Sequence, residues 1–302
     1  MIECQNINKV FNSDILEKPY EALKDVNFSI GAGETIGFLG ANGAGKTTMI
    51  KIILGFIKQN SGNIVFDSSK MGTSRMEALK YIGYLPERPY FYPHLKGREF
   101  LILMGNLTNV SDQLLSERIL KWSKRLEIDH ALERPIKSYS KGMLQRLGFV
   151  STLLHDPKLL IMDEPLSGLD PIGRRNFKEV MQEIHSLGKT IFFSSHIVGD
   201  VEEVCRNVVV LEKGAVVYQG EITDLIASQS ETSIKFIFKG EHVSIAGKAA
   251  TLLGDQTSRV TIPQNEKEKF LKDIVSLNLD LISMNPDNLS LEEVVYKLRG
   301  CE

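Results

Sequence analysis

A glycine-rich loop between an apolar segment and a helical segment constrains this chain more than any other feature. Residues 40–48 read GANGAGKTT. They match the phosphate-loop pattern, in which a glycine and four variable residues precede Gly-Lys-Ser/Thr. The apolar run Thr35 to Leu39 predicts a buried strand before the loop, and the apolar residues from Met49 to Ile57 recur at helical spacing after it. The sequence therefore predicts a strand, a phosphate-binding loop and a helix, in that order.

The loop carries the groups that hold a triphosphate. Its glycines permit a tight backbone curl that turns successive amide groups inward, toward phosphate oxygens. Lys46 is expected to reach the terminal phosphates, and the Thr47 hydroxyl is expected to bind Mg²⁺. The alternative is a chance glycine-rich turn, which the flanking strand and helix disfavour. The residues predicted to bind the nucleotide here are Gly40, Ala41, Asn42, Gly43, Ala44, Gly45, Lys46, Thr47 and Thr48.

A second motif places two carboxylates where another apolar strand ends. Residues 159–165 read LLIMDEP. Because side chains alternate along a strand, Asp163 and Glu164 are predicted to point in opposite directions. One can then hold the metal through water while the other addresses the γ-phosphate and its attacking water. An acidic pair at a strand end is also common in surface loops, so the phosphate loop upstream is what favours the catalytic interpretation.

Strands and helices alternate along most of the chain. The apolar runs Leu159 to Met162 and Ile191 to Phe193 flank a helical stretch from Arg174 to Leu187. This order predicts an α/β fold, with a mixed, mainly parallel sheet covered by helices on both faces. From about 88 to 150 the strand pattern gives way to helical spacing, which predicts a helical subdomain. The first residues, MIECQNINKV, alternate like an edge strand.

The character of the sequence changes after Ala227. We predict a nucleotide-binding domain over residues 1–226 and a small α+β extension over residues 227–302. The extension is predicted to contain two strands, a helix, a third strand and a closing helix, in that order. The strands are Ser233 to Lys239, Arg259 to Pro263 and Leu279 to Met284, and the helices are Glu266 to Leu277 and Leu291 to Leu298.

Composition narrows the range of functions. The 36 Lys and Arg residues nearly balance 38 Asp and Glu residues, and the net charge of −2 provides no overall attraction to nucleic acid or anionic lipid. Cys4, Cys205 and Cys301 are odd in number and lack metal-ligand spacing, so a disulfide framework and a zinc site are disfavoured. The chain shows no secretory signal and no uninterrupted run of about 18 apolar residues, so any membrane role is expected to be peripheral.

With three further motifs, the chain resembles the ATPases of ATP-binding-cassette (ABC) transporters. YSKGMLQR at Tyr139 to Arg146 resembles the family signature, whose usual form is Leu-Ser-Gly-Gly-Gln, and it lies just upstream of LLIMDEP. SGLD at Ser167 to Asp170 resembles the D-loop, and Ser195-His196 after an apolar strand resembles the switch histidine. The resemblance spans about Ile2 to Gly220. It implies that Asp170 belongs to the nucleotide site and that His196 hydrogen-bonds the γ-phosphate.

The resemblance also implies a dimer. Two cassettes of this family face head to tail, so Ser140 and Gly142 of one chain would close over the γ-phosphate held by Lys46 of the other. Ser140 is equally suited to cap the helix that follows, and both roles are compatible.

The signature departs from its usual form at three positions. Tyr139, Lys141 and Met143 replace Leu, Gly and Gln. Met143 cannot supply the amide of glutamine. Lys141 either adds positive charge near the closing phosphate or is simply solvated. The family roles therefore carry over only to Ser140 and Gly142.

Two more positions follow from the resemblance. Glu87, in IGYLPERPYFYP, falls where the family has its Q-loop glutamine and is expected to offer an oxygen to Mg²⁺. Glutamate here is familiar among exporter-type cassettes, and the alternative is an exposed loop residue beside Arg88. Phe11 falls where the family stacks an aromatic ring on adenine. Tyr20 is the competitor for this role, and ordinary core packing is the other explanation of Phe11.

The resemblance implies an ATPase that uses ATP and Mg²⁺, with Lys46, Glu164 and His196 as catalytic residues. The partners it implies are a second cassette, identical or different, and a separate integral-membrane permease, which places the chain on the cytoplasmic face of the cell membrane. The permease would dock at about Arg88 to Arg98, in a groove lined by Phe91, Tyr92, Pro93 and Leu95, and local packing of these residues within the loop is the alternative. The closing SLEEVVYKL resembles exporter cassettes and favours export. The alternatives are a soluble ABC ATPase acting on nucleic acid or ribosomes and an ATP-responsive regulatory module.

Overall fold

The computed structural model describes residues 1–12, 19–229, 233–254, 256–286 and 290–298. The chain divides into two compact units, Met1–Ile222 and Thr223–Glu302. No helix in the described ranges is long and apolar enough to span a membrane.

Two sheets, eight α-helices and two short 3-10 helices, Asp129–Ala131 and Ile136–Ser138, account for the described regular structure of the first unit. The strands are β1 (Ile2–Phe11), β2 (Tyr20–Ile30), β3 (Thr35–Leu39), β4 (Ser61–Phe66), β5 (Ile82–Leu85), β6 (Leu159–Asp163), β7 (Thr190–Ser195), β8 (Asn207–Glu212) and β9 (Ala215–Glu221). The helices are α1 (Lys46–Ile53), α2 (Ser68–Met71), α3 (Arg75–Leu79), α4 (Gly97–Leu107), α5 (Asp112–Arg125), α6 (Lys141–Leu153), α7 (Pro171–Ser186) and α8 (Val198–Val204). Helix α9 (Ile222–Gln229) begins where the two units divide.

The larger sheet positions the functional residues. Its strand order is β5-β6-β7-β3-β8-β9, with β9 antiparallel to its neighbour and the other pairs parallel. Strands β3, β6 and β7 are buried along their whole length. Continuous apolar runs are typical of parallel strands covered on both faces. Because these strands are parallel, their carboxyl ends, and the loops that follow them, meet at one edge.

The smaller sheet is antiparallel, in the order β2-β1-β4. Strand β1 pairs with β2 on one side, Ile2 opposite Ile30, and with β4 on the other, Ile2 opposite Phe66. The prediction of an edge strand was therefore wrong, because alternation reports which face of a strand is buried and not whether both of its edges are paired. Phe28 of β2 stacks on Phe38 of β3, with ring centroids 5.6 Å apart, so the two sheets share one core.

A helical segment that contains α4, α5 and α6 precedes β6. Tyr139, at the position of the usual signature leucine, is buried, and its hydroxyl donates to the Ala131 carbonyl at 2.6 Å. A Cβ on Gly97 would lie 2.2 Å from that hydroxyl oxygen, so a larger residue at 97 is excluded. Phe91 is also buried, edge-on to Phe100 at 4.9 Å. It therefore anchors this segment. The prediction that Phe91 lines an outer groove was wrong.

The second unit contains six described strands and two helices after α9. The strands are β10 (Ser233–Lys239), β11 (Ser244–Ile245), β12 (Lys248–Ala249), β13 (Thr251–Leu253), β14 (Thr257–Pro263) and β15 (Leu281–Pro286), and the helices are α10 (Lys267–Ser276) and α11 (Leu291–Leu298). Four of the strands form an antiparallel sheet of order β13-β14-β10-β15, and β11 and β12 form a two-stranded hairpin. Phe236 and Phe238 of β10 pack edge-on against Phe270 of α10 within an apolar core of this unit.

Two of the three cysteines lie in the described chain. Cys4 and Cys205 are free thiols buried in the first unit. Burial raises the pKa of both thiols well above the ordinary value, which leaves them protonated and unreactive at neutral pH. Cys301 lies outside the described residues.

Candidate nucleotide-hydrolysis site

The phosphate loop joins β3 to α1 at the carboxyl edge of the large sheet. Gly45, immediately before α1, has φ 110, and a Cβ there would lie 2.7 Å from the Ala22 carbonyl oxygen. A Cβ on Gly40 would lie 2.6 Å from the Leu211 carbonyl oxygen. The loop is therefore packed against β2 and β8 so closely that side chains are excluded at both glycines, and its curl is built into the fold.

Lys46 lies inside this curl. Its side chain is 6% exposed, and its ammonium donates to the carbonyls of Gly40 at 2.8 Å and Ala41 at 3.2 Å. The same nitrogen is 3.3 Å from Oε1 of Glu164. The ammonium thus lies where the loop and the end of β6 meet.

Glu164 connects Lys46 to His196. Its Oε2 is 2.8 Å from Nδ1 of His196, and its Oε1 is buried with no hydrogen-bond partner, so the Lys46 contact is an ion pair without hydrogen-bond geometry. The three residues predicted to be catalytic therefore meet through one carboxylate. They come from the phosphate loop, the end of β6 and the end of β7, which meet because these strands are parallel.

Ser194 holds the acidic pair in place. Its hydroxyl accepts a hydrogen bond from the backbone N–H of Glu164 at 2.9 Å and donates to Oδ1 of Asp163 at 2.6 Å. Asp163 is 1% exposed. Sequence reasoning missed Ser194, although a buried serine ending an apolar strand beside Ser195-His196 was a signal for it.

The remaining predicted magnesium ligands, Thr47 and Glu87, follow strands β3 and β5 of the same mainly parallel sheet as Asp163. Thr47 is half-buried on the first turn of α1. Glu87 is exposed just beyond the end of β5, which runs parallel to β6, and it has no hydrogen bond or ion pair with any described residue. Burial, with a smaller effect from the Asp163 charge, raises the pKa of Tyr84 to about 12. Tyr84 is therefore a neutral neighbour of the acidic pair.

The signature residues have local structural roles. The Ser140 hydroxyl accepts from the backbone N–H of Met143 at 3.2 Å and caps α6. In the described chain, no hydrogen bond of Ser140 reaches the phosphate loop. A Cβ built on Gly142 would make only ordinary van der Waals contacts, with Leu169 at 3.5 Å and Ser140 at 4.0 Å. A Cβ on Gly168 would lie 2.5 Å from the Lys141 ammonium, so Lys141 lies across the D-loop of its own chain.

Asp170, at the end of the D-loop, caps α7. Its Oδ1 accepts from the Gly173 backbone N–H at 3.1 Å, and Pro171 begins the helix. Proline and an aspartate cap are both favoured at a helix start. Asp170 is therefore a structural residue of the D-loop in this chain, and its contact with nucleotide stays a prediction.

The two aromatic candidates for adenine are neighbours. Phe11 and Tyr20 are opposite each other in the β1-β2 ladder. Phe11 is 37% exposed, which removes the core-packing explanation, and the Lys9 ammonium lies 4.8 Å above its ring. The Tyr20 hydroxyl donates to the Gly43 carbonyl at 3.0 Å, so Tyr20 contacts the tip of the phosphate loop. The tertiary fold creates this contact, and no local pattern indicated it.

This fold and this site define a phosphate-loop nucleoside triphosphatase. A parallel sheet presents the loop, and a buried lysine, a glutamate and a histidine converge where a terminal phosphate would lie. The signature and D-loop segments distinguish the chain within that class.

Residues 23–167 match the ABC transporter family, and the chain belongs to the ATP-binding subunits of that family. It is 35% identical to an ABC transporter ATP-binding protein of Synechocystis sp., over 97% of this chain and 83% of that one. It is 32% identical to the bacitracin transport ATP-binding protein BcrA of Bacillus licheniformis, over 97% of this chain and 98% of that one.

The fold is similar to that of cbiO1 from Clostridium perfringens, described as part of the ABC transporter complex cbiONQ. The TM-score is 0.63 at 28% identity, over 76% of this chain and 91% of that one. The predicted family, fold class and activity are confirmed: the chain is an ATP-binding subunit that hydrolyses ATP for transport.

Proposed function

We propose that this chain is one cassette of a dimer that drives export through a separate integral-membrane permease at the cytoplasmic face of the membrane. The observation that carries the proposal is the Glu164 carboxylate, which lies between the Lys46 ammonium at 3.3 Å and His196 Nδ1 at 2.8 Å. A regulatory module without turnover has no need of this arrangement. The similarity to BcrA, a bacitracin transport ATP-binding protein, favours export of an antibiotic-like substrate.

Each of these residues has a role in phosphoryl transfer. Glu164 positions and deprotonates the attacking water, Lys46 stabilises charge on the transferring phosphoryl group, and His196 donates to the γ-phosphate. With Nδ1 of His196 facing Glu164, its Nε2 is left to address the phosphate. Positioning and electrostatics dominate, as is general for this reaction.

The donor set fits Mg²⁺. No group of three or more His, Cys, Asp or Glu residues in the described chain is arranged to hold a metal unaided. Mg²⁺ is usually held by one or two protein oxygens together with substrate phosphates and water, and Thr47, Asp163 and Glu87 offer hydroxyl and carboxylate oxygens of that kind. Bound Mg²⁺ neutralises negative charge on the phosphate oxygens.

The second cassette completes the site. Ser140 and Gly142 of one chain would close over the γ-phosphate held by Lys46 of the other. The missing side chain at Gly142 supports close approach of a phosphate to the backbone, and the start of the 13-residue helix α6 favours an anion. The partner cassette is a second copy of this chain or a different one.

The permease surface is proposed on the loop after β5. Tyr90 is 81% exposed and Tyr92 is 51% exposed, and their rings contact edge to face at 6.0 Å. Exposed aromatic residues are enriched in protein interfaces. The buried Phe91 between them fixes the loop to the helical segment.

Glu164→Gln tests the proposal. The amide keeps the size of the side chain but cannot accept a proton, so we expect phosphate release to fall by about a thousandfold or more while ATP still binds. The variant is then expected to form an ATP-held dimer, measured by light scattering with ATP and Mg²⁺. Lys46→Ala is the control, which should neither bind ATP nor dimerise. A Glu164→Gln variant with normal turnover would refute the assigned role, and one that stays monomeric with ATP bound would refute the dimer.

A further inference from the structure

A small cavity lies beside Glu164 and His196. Its volume is about 10 Å³, the size of a single water molecule. Its lining includes Glu164, Ser195 and His196, and also Arg174 and Asp200. The switch histidine therefore lines the same small space as two charged residues that do not belong to any of the nucleotide motifs.

Asp200 is the centre of this charged group. It lies on α8, four residues after His196, and it is 4% exposed. Its Oδ2 is 2.5 Å from Nη2 of Arg174, and its Oδ1 is 3.1 Å from the Lys178 ammonium. Both cations project from α7, one helical turn apart. Lys178 also pairs with Glu203, the next turn of α8.

This arrangement fixes α8 against α7. A buried carboxylate is strongly unfavourable unless cations pair with it, so Asp200 can occupy its position only while α7 presents Arg174 and Lys178. On the other side of His196, the Ser195 hydroxyl accepts from the Ile197 backbone N–H at 3.0 Å. The turn that carries His196 is therefore held both before and after the histidine.

We propose that Asp200 and Arg174 are positioning residues that hold His196 where it can contact the γ-phosphate. This inference rests on the proposed role of His196. The phosphate loop holds phosphates that ATP and ADP share, whereas His196 addresses only the phosphate that ADP lacks. Loosening the Arg174–Asp200 pair therefore weakens discrimination between the two nucleotides and leaves the shared contacts intact.

The test compares Asp200→Asn and Arg174→Met with the wild type by calorimetric titration. The ligands are the Mg²⁺ complexes of ADP and of a non-hydrolysable ATP analogue with an imido β,γ bridge. ADP affinity is expected to stay within about twofold of the wild type, and affinity for the analogue to fall about tenfold, the size expected for losing a hydrogen bond to a charged group. A purely structural role would lower both affinities together.

Arg175→Met is the matched control. Arg175 neighbours Arg174 but is 80% exposed, and it pairs with Glu179 on its own helix. It should leave both affinities unchanged, and Arg174→Lys, which keeps the charge, should restore part of the discrimination.

The outcomes separate the two proposals. If His196→Ala loses discrimination while folded Asp200→Asn and Arg174→Met retain it, the positioning role is overturned and the role of His196 stands. If His196→Ala also retains discrimination, the proposed role of His196 fails, and the positioning role fails with it. Thermal unfolding establishes that each variant is folded. Should Asp200→Asn not fold, the partly exposed Arg174 provides the same test.

Discussion

The backbone of Glu164 has an unusual conformation for its residue type. Its φ of 47 lies in the left-handed region, which costs about 1–2 kcal/mol for a residue with a Cβ. The Ser194 hydroxyl offsets this cost by accepting from the Glu164 N–H. The conformation turns the carboxylate away from the line of β6 toward Lys46 and His196. The position of the proposed catalytic base therefore depends on a side chain from the neighbouring strand.

Ser194→Ala is predicted to impair catalysis more than folding. It removes the acceptor for the Glu164 N–H and the donor to Asp163, and leaving these groups unpaired costs about 1–3 kcal/mol. We expect ATP turnover to fall at least tenfold, measured as phosphate release at saturating ATP. Ser186→Ala is the control, because Ser186 is exposed and bonds only within α7. Normal turnover in Ser194→Ala would show that Glu164 keeps its backbone conformation without the Ser194 hydroxyl.

At the level of secondary-structure elements, the bounds of some strands and helices agree with their predicted ranges and those of others do not. Helix α11 agrees with its predicted range, whereas β15 begins and ends two residues later than predicted. The predicted bounds of β3 and β10 agree with the structure, because apolar runs and clean alternation mark buried strands. Helix α1 ends at Ile53 and not at Ile57, because Gly55 adopts φ 80 and turns the chain away. Helical spacing alone could not show where the turn begins.

The residues of the candidate site could be predicted from the sequence, but several of the contacts that hold them could not. Lys46, Asp163, Glu164 and His196 could be predicted because each belongs to a motif with fixed spacing at the end of a strand. The contacts of Tyr20 with the phosphate loop, of Ser194 with the acidic pair and of Arg174 with Asp200 join segments 23 to 31 residues apart. Only the packing of the strands and helices brings those partners together.

The connection from α6 to β5 is predicted to weaken in acid. His155 follows α6, and its Nε2 is 3.1 Å from the Ile82 carbonyl oxygen. Burial lowers the pKa of His155 below its ordinary value of 6.5, and the hydrogen bond to the Ile82 carbonyl opposes this shift. The nearby Arg118 charge also lowers the pKa, and the Asp156 charge raises it. The unfolded chain therefore binds the proton more tightly. The stabilising contribution is complete above pH 6.5 and is lost as the pH falls toward the folded-state pKa.

Unfolding in urea can measure this effect, with the fluorescence of Trp122, the chain's 1 tryptophan, reporting on the helical segment. The free energy of unfolding of the wild type should fall between about pH 7.5 and about pH 5.5. His155→Gln keeps a donor for the Ile82 carbonyl but cannot titrate, so its free energy should fall less steeply over the same range. Equal slopes in the two proteins would contradict the assignment to His155.

At the scale of the whole molecule, each of the two units has an apolar core of its own among the described residues. In the first unit, Phe28, Phe38 and Phe192 stack between the two sheets, with Phe38 and Phe192 centroids 5.3 Å apart. In the second unit, the rings of Phe236 and Phe238 both contact Phe270 edge to face. The nucleotide motifs all lie in the first unit. The buried residues that support the nucleotide motifs are therefore different from those that stabilise the second unit.

Because the cores are separate, Phe236→Ala should unfold the second unit selectively. Phe236 is fully buried, and truncating such a ring costs about 3–5 kcal/mol, enough to unfold a small domain. Hydrogen exchange is expected to show lost protection of the amides in β10, β14 and β15, with β3, β6 and β7 unchanged and ATP still bound. Phe38→Ala is the matched variant, since Phe38 is equally buried, and it should expose β3 and abolish ATP binding while β10 stays protected. Loss of protection throughout the chain in both variants would show instead that the two units unfold together.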